Sequence, residues 1–186
     1  MAANSTLCKS LVLASLTLPL LLILISIILS SWFNIYRNAL SDLGHATRSS
    51  VAPIFNLGLS LGGVLVVVVG ANYLTRVSRI LGIVAAASGY SLILVAVFDE
   101  VYGVLHFWVS VLFFVLLATL LCIYIAVSRG FIERVAAIST LLVAVISWIL
   151  HLEAGIPPGA AIPELISIAA VAPFYIDAAF RRACRE

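Results

Sequence analysis

Long apolar runs separated by short polar links are the main pattern along this chain. Six runs are close to the roughly 20 residues that a helix needs to cross the hydrocarbon core of a bilayer. The runs are continuous and do not alternate in polarity, so they predict helices and not barrel strands. The predicted spans are residues 11–32, 53–74, 80–98, 104–127, 135–150 and 162–180. We therefore expect an all-α fold, a polytopic membrane helical bundle with six transmembrane helices in one domain over residues 1–186.

Proline, glycine and serine residues agree with several of these span ends. Pro53 and Pro163 stand where the first turn of a helix tolerates a missing N–H group. Ser49 and Ser50 offer side-chain oxygens that could cap the second helix. The sequence Pro157-Pro158-Gly159 predicts a break between the fifth and sixth spans.

Composition narrows the class of protein. Apolar residues make up 64% of the chain and charged residues only 10%, whereas soluble proteins carry about 25% charged residues. A soluble protein could not cover its surface with so few charges, and a disordered chain would be far less apolar. Three cysteines cannot form a disulfide framework. A net charge of +2, spread over short basic clusters, argues against nucleic-acid binding. The expected partners are membrane lipids.

Basic residues predict the orientation in the membrane. Two of the ten, Arg37 and Arg48, fall on one side of the predicted bundle. The other eight fall on the side of the termini: Lys9, Arg76, Arg79, Arg129, Arg134, Arg181, Arg182 and Arg185. The positive-inside rule then predicts a multi-pass protein of the cell membrane with both termini in the cytoplasm. Cys8 and Cys184 would lie at cytoplasmic ends, where thiols stay reduced.

Most acidic residues and all histidines fall at the opposite, outer ends of the spans. These residues are Asp42, Asp99, Glu100, Glu153, Glu164, His45, His106 and His151, whereas Glu133, Asp177 and Glu186 fall at inner ends. Ionisable groups at membrane depth are costly and are functional candidates by default. Simpler explanations exist for some of them. Glu164 could complement the positive end of the sixth helix, and Asp99 and Glu100 could form a solvated turn.

Two kinds of chemistry are open to this outer cluster. Ser41, Asp42 and His106 supply the residue types of a hydrolytic triad, although such a triad is defined by geometry and no Gly-x-Ser-x-Gly motif is present. Imidazole and carboxylate groups also suit a divalent metal such as zinc, with Asp42, His106 and His151 as candidate ligands. The sequence has no His-x-x-x-His or Cys-x-x-Cys motif, so a metal site would have to be assembled across helices.

Three segments resemble a known family. Tyr36-Arg37-Asn38-Ala39-Leu40-Ser41-Asp42-Leu43-Gly44, followed by Pro53-Ile54-Phe55-Asn56, resembles the prokaryotic six-span membrane family catalogued as domain of unknown function 998. Phe98-Asp99-Glu100 with Leu105-His106, and Pro163-Glu164, resemble its two shorter motifs. The family usually has Pro where Asp99 stands and often Arg where Leu165 stands. The resemblance covers essentially the whole chain.

The resemblance also implies a field of function. The family is similar in layout to DRAM-like membrane proteins, which carry an Ile-Ser-Asp motif after their first span, and this implies work on lipids or their headgroups. By resemblance, the functional positions are Ser41, Asp42, Asn56, His106 and Glu164.

We consider three functions for such a protein. The first is a membrane protein whose outer-leaflet polar pocket binds a lipid headgroup and, as a hydrolase or transferase, acts on it. Ser41, Asp42, His106 and Glu164 would then be catalytic, and Asn56 would bind a cofactor. The second function is a non-catalytic lipid-binding or sensor protein that uses the same residues. The third is a small transporter, which the scarcity of polar residues in the middle of the spans disfavours.

Overall fold

The computed structural model describes residues 5–185 and contains six long helices but no strand within that range. Each helix is long and apolar enough to cross a membrane, which confirms the all-α six-helix prediction. The helices are α1 Ser5–Leu29, α2 Ala52–Asn72, α3 Arg79–Val97, α4 Val104–Val127, α5 Phe131–Ala154 and α6 Ala161–Ala178. Short helical turns follow α1, α2, α3 and α6, at Leu40–Gly44, Leu74–Arg76, Glu100–Tyr102 and Ala179–Ala183.

Several helix ends differ from the sequence prediction. Helix α1 ends at Leu29 and not at residue 32, and α5 runs beyond both of its predicted ends. At its C-terminus, α5 stops at Gly155, whose positive φ of 65° is a conformation that favours glycine. Helix α2 begins after Val51 without a side-chain cap, so the prediction of a serine cap is wrong. The predicted inner position of Glu186 lies outside the described residues.

Small residues set the packing of the first three helices. Gly63 of α2 lies so close to α3 that an added Cβ atom would come within 2.6 Å of the Gly89 carbonyl oxygen. Gly62 contacts the ring of Pro19 on α1 in the same way. Such close approach is typical of helix packing in membranes. Helix α5, by contrast, is peripheral: 11% of its apolar window is buried, against 50% for α6.

We name the two ends of the bundle by the segments they carry. The terminal end is where α1 begins and α6 ends. The motif end carries the segment Tyr36–Gly44, whose backbone pairs with the link between α5 and α6. In that pairing, the N–H of Gly159 donates to Tyr36 O (2.9 Å) and the N–H of Ala161 donates to Asn38 O (3.0 Å). Because Gly159 packs against the backbone of Arg37 and Asn38, it has no room for a side chain.

A disulfide closes the terminal end and corrects one prediction. Cys8 and Cys184 are bonded to each other, with Cα atoms 5.6 Å apart, and both are fully buried. The expectation of reduced thiols is therefore wrong. The start of α1 lies against the end of α6, a neighbourhood that 176 residues of sequence separation conceal. Cys122 is the free cysteine, and it is exposed.

Candidate functional site

The Ser-Asp-Leu-Gly element forms a tight helical turn at the motif end, and Asp42 holds that turn together. Asp42 Oδ2 accepts hydrogen bonds from the backbone N–H of Ala39 (3.0 Å) and from Asn38 Nδ2 (2.8 Å). A carboxylate that accepts such local donors stabilises a turn in the way that a cap stabilises a helix. This carboxylate is thus engaged with its own segment.

Asn56 fixes the same turn to α2. Its Nδ2 donates to the carbonyl oxygen of Gly44 (2.9 Å). An added Cβ atom at Gly44 would lie 2.6 Å from Asn56 Oδ1 and 2.8 Å from the Phe55 ring. Gly44 is therefore what lets the turn sit on α2. Asn56 acts on the site by positioning the turn.

Two carboxyl groups from distant segments meet the turn from its other side. Ser41 Oγ donates to Glu100 Oε1 (2.7 Å), and the backbone N–H of Leu40 donates to Glu164 Oε2 (2.6 Å). Glu164 is 8% exposed. Burial raises the pKa of Glu100 to about 7; the hydrogen bond from Ser41 opposes this shift, and the nearby Asp42 adds to it. Glu100 and Glu164 are therefore desolvated, and the solvated-turn explanation fails for Glu100.

The hydrogen bonds of two histidines identify which ring nitrogens carry hydrogen. His106 Nδ1 lies 2.7 Å from Phe98 O, and His151 Nδ1 lies 2.8 Å from Pro157 O. A carbonyl oxygen only accepts, so both Nδ1 atoms donate. In the neutral rings, each Nε2 then presents a lone pair. His106 Nε2 has only a long contact of 3.4 Å, with Ser110 Oγ.

A cavity of about 920 Å³ opens at this end and continues between α4, α5 and α6. Its mouth is polar and its interior is apolar, reaching the middle of the bundle. The polar groups at the mouth include Ser41, Arg48, Glu100, His106, His151 and Glu164. The interior is lined by Val111, Phe114, Ala118, Leu121, Leu141 and Val145, among others. This volume is near the upper end of what ligand pockets in proteins usually enclose.

An aromatic pair forms part of the cavity wall. The rings of Phe114 on α4 and Trp148 on α5 lie 4.9 Å apart, and both residues line the cavity. Trp148 Nε1 donates to Ser167 Oγ (2.9 Å), which ties α5 to α6 beside the cavity. Nothing in the sequence singled out Trp148 or Ser167, because neither belongs to a local motif.

The structure brings together some of the predicted site residues. Ser41, His106, His151 and Glu164 line one cavity, whereas Asp42 and Asn56 stand outside its lining. The Ser41 hydroxyl donates to Glu100 and not to His106, so no Ser–His–Asp relay is formed.

The donor set also fails to form a metal centre. Within residues 5–185, no group of three or more His, Cys, Asp or Glu side chains could hold a metal ion. Asp42, His106 and His151 each direct one side-chain atom to a backbone partner, and they do not converge as zinc ligands.

Six long apolar helices define a multi-pass membrane protein. The chain matches a family model described as "Protein of unknown function (DUF998)" over residues 12–180, and it belongs to that family. This confirms the resemblance seen in the sequence motifs. Neither the curated proteins nor the solved structures gave a match.

Proposed function

We propose that this membrane protein binds a single lipid in the cavity at its motif end. The observation that carries the proposal is the shape of that cavity, in which a polar mouth continues into an apolar interior between α4, α5 and α6. A headgroup would occupy the mouth beside Glu100, His106 and Glu164. An alkyl chain would run inward along Val111, Ala118 and Leu141.

The position of the cavity supports a ligand from the bilayer. Helix α5, which forms one wall, is the least buried of the six helices, and most of its surface faces away from the bundle. An apolar channel beside a lipid-facing helix is readily filled by an alkyl chain, since lipid tails are as apolar as the side chains that line it. A lipid could therefore reach the cavity laterally as well as from the mouth.

Binding fits the contacts better than hydrolysis. The predicted nucleophile, Ser41, gives its hydroxyl hydrogen to Glu100 and forms no hydrogen bond with a histidine within residues 5–185. Hydrolysis or transfer of a headgroup would instead need His106 Nε2 as the base for an incoming water or alcohol. Transport is the least supported function, because the cavity ends near Leu121 and the terminal end beyond it is closed by hydrogen bonds and ion pairs.

We further propose that the motif end faces the outside of the cell membrane, as the distribution of basic residues predicts. The disulfide at the terminal end counts against this orientation, because disulfides are rare in reducing compartments. Cysteine labelling in intact cells decides between the two orientations of the protein in the membrane. A membrane-impermeant maleimide should modify Glu153→Cys and spare Arg129→Cys, both exposed positions, in a Cys122→Ser background. The opposite pattern would reverse the orientation.

Lipid binding itself is tested by native mass spectrometry of the purified protein released from detergent. We expect a bound lipid on the wild type, and its loss from Ala118→Phe, which places a ring inside the cavity. Ala126→Phe is the matched control, because Ala126 lies on the same helix but is exposed and outside the cavity lining. Equal lipid on both variants and the wild type would contradict the proposal.

A further inference from the structure

The polar mouth of the cavity presents mainly hydrogen-bond acceptors. His106 and His151 both use Nδ1–H within the protein, so each neutral ring offers the cavity its Nε2 lone pair. Glu164 accepts from Leu40 through Oε2, and its Oε1 has no hydrogen bond within residues 5–185. Ser41 has already given its hydrogen to Glu100. A ligand that satisfies this mouth must therefore bring donors.

The mouth also brings together carboxyl groups that have no ion-pair partner. Glu100 and Glu164 line this mouth together, and each accepts from the turn Leu40–Gly44, which also carries Asp42. The two ion pairs in the described part of the chain both lie at the terminal end, so these carboxyl groups have none. Arg48 acts on Glu100 only through space, from an exposed position at the rim. Buried carboxylates without a cation are costly, and a cation from the ligand would offset that cost.

Resting on the proposed lipid-binding function, we propose that the lipid has a headgroup with a protonated primary amine. An ammonium group supplies three N–H donors and one positive charge in a small volume. Those donors match Glu164, Glu100 and His106, which line the mouth together. A phosphate in the same headgroup would lie at the rim, where Arg48 and Thr47 line the opening.

Other headgroups fit this mouth less well. A purely anionic headgroup would meet the carboxyl groups without bringing a compensating charge. A quaternary ammonium brings the charge but has no N–H to donate. A neutral sugar headgroup brings donors but leaves the charge of the carboxyl groups unmatched. A primary amine alone combines donors and charge, so these lipids are the natural comparisons.

The test compares lipids that differ only in the headgroup. Phosphatidylethanolamine, phosphatidylcholine, phosphatidylglycerol and a glucosyl diacylglycerol with identical chains are titrated onto delipidated protein in detergent and read by native mass spectrometry. We expect phosphatidylethanolamine to bind at least about tenfold more tightly than phosphatidylcholine, the difference that a lost hydrogen bond to a charged group produces. Glycerophosphoethanolamine, which has no chains, should compete poorly.

Variants assign the preference to named groups. Glu164→Gln should bring the phosphatidylethanolamine to phosphatidylcholine ratio close to one while total lipid binding persists. Glu100→Gln is the second variant, should Glu164→Gln fail to fold. Glu153→Gln is the matched control, because Glu153 is an exposed carboxylate at the same end that does not line the cavity. An unchanged ratio in a folded Glu164→Gln or Glu100→Gln protein would overturn the amine assignment.

The outcomes separate this inference from the proposed function. Equal binding of all four lipids, or tightest binding of the glycolipid or phosphatidylglycerol, would overturn the amine headgroup as long as Ala118→Phe still abolishes binding. Absence of binding by every lipid, or binding that Ala118→Phe leaves unchanged, would overturn the proposed function itself. Strong competition by glycerophosphoethanolamine would show a soluble amine as the ligand and overturn the lipid assignment.

Discussion

At the terminal end, Asp177 accepts a hydrogen bond from Tyr124 OH (2.7 Å) and pairs with Arg181 Nε (2.9 Å). Arg181 Nη1 also pairs with Glu133 Oε1 (3.2 Å). At the motif end, Glu164 and Glu100 accept only from a backbone N–H and a serine hydroxyl. Both ends therefore bring acidic side chains into the bundle. Within residues 5–185, only the terminal end joins them to cations in ion pairs.

The difference separates a closed end from the end where we propose that the lipid binds. Compensated charges join α4, α5 and α6 at the terminal end, beside a disulfide that joins α1 to Cys184, just after the helical turn that follows α6. At the motif end the same three helices enclose a cavity. Polar groups that lack partners beside a cavity are typical of ligand-binding sites, because the ligand then supplies the missing partners.

The largest effect on stability should come from the terminal end. Asp177→Ala removes the partner of Tyr124 and Arg181, and we expect it to lower the free energy of unfolding by about 2 kcal/mol, since hydrogen bonds to charged groups are the stronger kind. Thermal unfolding in detergent measures the change. Lipid binding should be unaffected, with exposed Glu153→Ala as control. Loss of lipid at unchanged stability would contradict the division between the two ends.

A smaller effect is expected where the turn is anchored at the motif end. Asn56→Ala removes the hydrogen bond to Gly44 O and should cost about 1 kcal/mol. It should also weaken lipid binding, because the turn positions Ser41 beside Glu100. Asn72→Ala is the matched control on the same helix, since exposed Asn72 bonds only within its own helix, to Val68 O. Equal losses in both variants would argue against the positioning role.

A pH dependence of stability should follow from Glu100 and be weaker without it. Its pKa is raised from 4.5 to about 7, so the folded protein holds this proton at pH values where the unfolded chain releases it. Its contribution to stability is therefore full below pH 4.5 and is lost as the pH rises through about 7. We expect the Tm of the wild type to fall across this window more than that of Glu100→Gln. Identical slopes would contradict the assignment.

The last prediction changes no residue and tests the disulfide by labelling. Under denaturing but non-reducing conditions, a maleimide should label Cys122 alone, because Cys8 and Cys184 are bonded to each other. After reduction, all three cysteines should be labelled. Mass spectrometry counts the labels. Three labels before reduction would show that Cys8 and Cys184 are not bonded, and the terminal end would then not be closed covalently.

The six helices could be predicted because span length and continuous hydrophobicity depend on local sequence alone. The ends of the helices could be predicted less accurately. Val51 precedes α2 where a serine cap was expected, and α5 begins four residues before the predicted Val135. Glu133 and Arg134 are charged and so do not fit the pattern of an apolar span. In the structure both lie in the first turn of α5, where Arg134 Nε donates to Ser128 O.

The candidate site could be predicted only in part. Asp42, His106 and Glu164 were expected in one pocket because all three fall at the same ends of their spans; His106 and Glu164 line the cavity with Ser41, whereas Asp42 does not. The role of Asp42 as the acceptor within its own turn depends on backbone geometry, which the sequence does not reveal. Glu100 resembled part of a solvated link because its partner Ser41 lies 59 residues away. Contacts across such distances arise from packing and leave no local pattern.

The central claim is that a lipid chain occupies the space between α4, α5 and α6. Photocrosslinking in proteoliposomes tests it most directly, with a phospholipid that carries a diazirine midway along one chain and peptide mapping of the products. The account predicts crosslinks concentrated on cavity residues such as Val111, Phe114 and Val145, and their loss in Ala118→Phe. The account would be contradicted by crosslinks that are spread over exposed residues on the surface of the bundle, such as Leu57 and Ile83, and are equal in the wild type and Ala118→Phe.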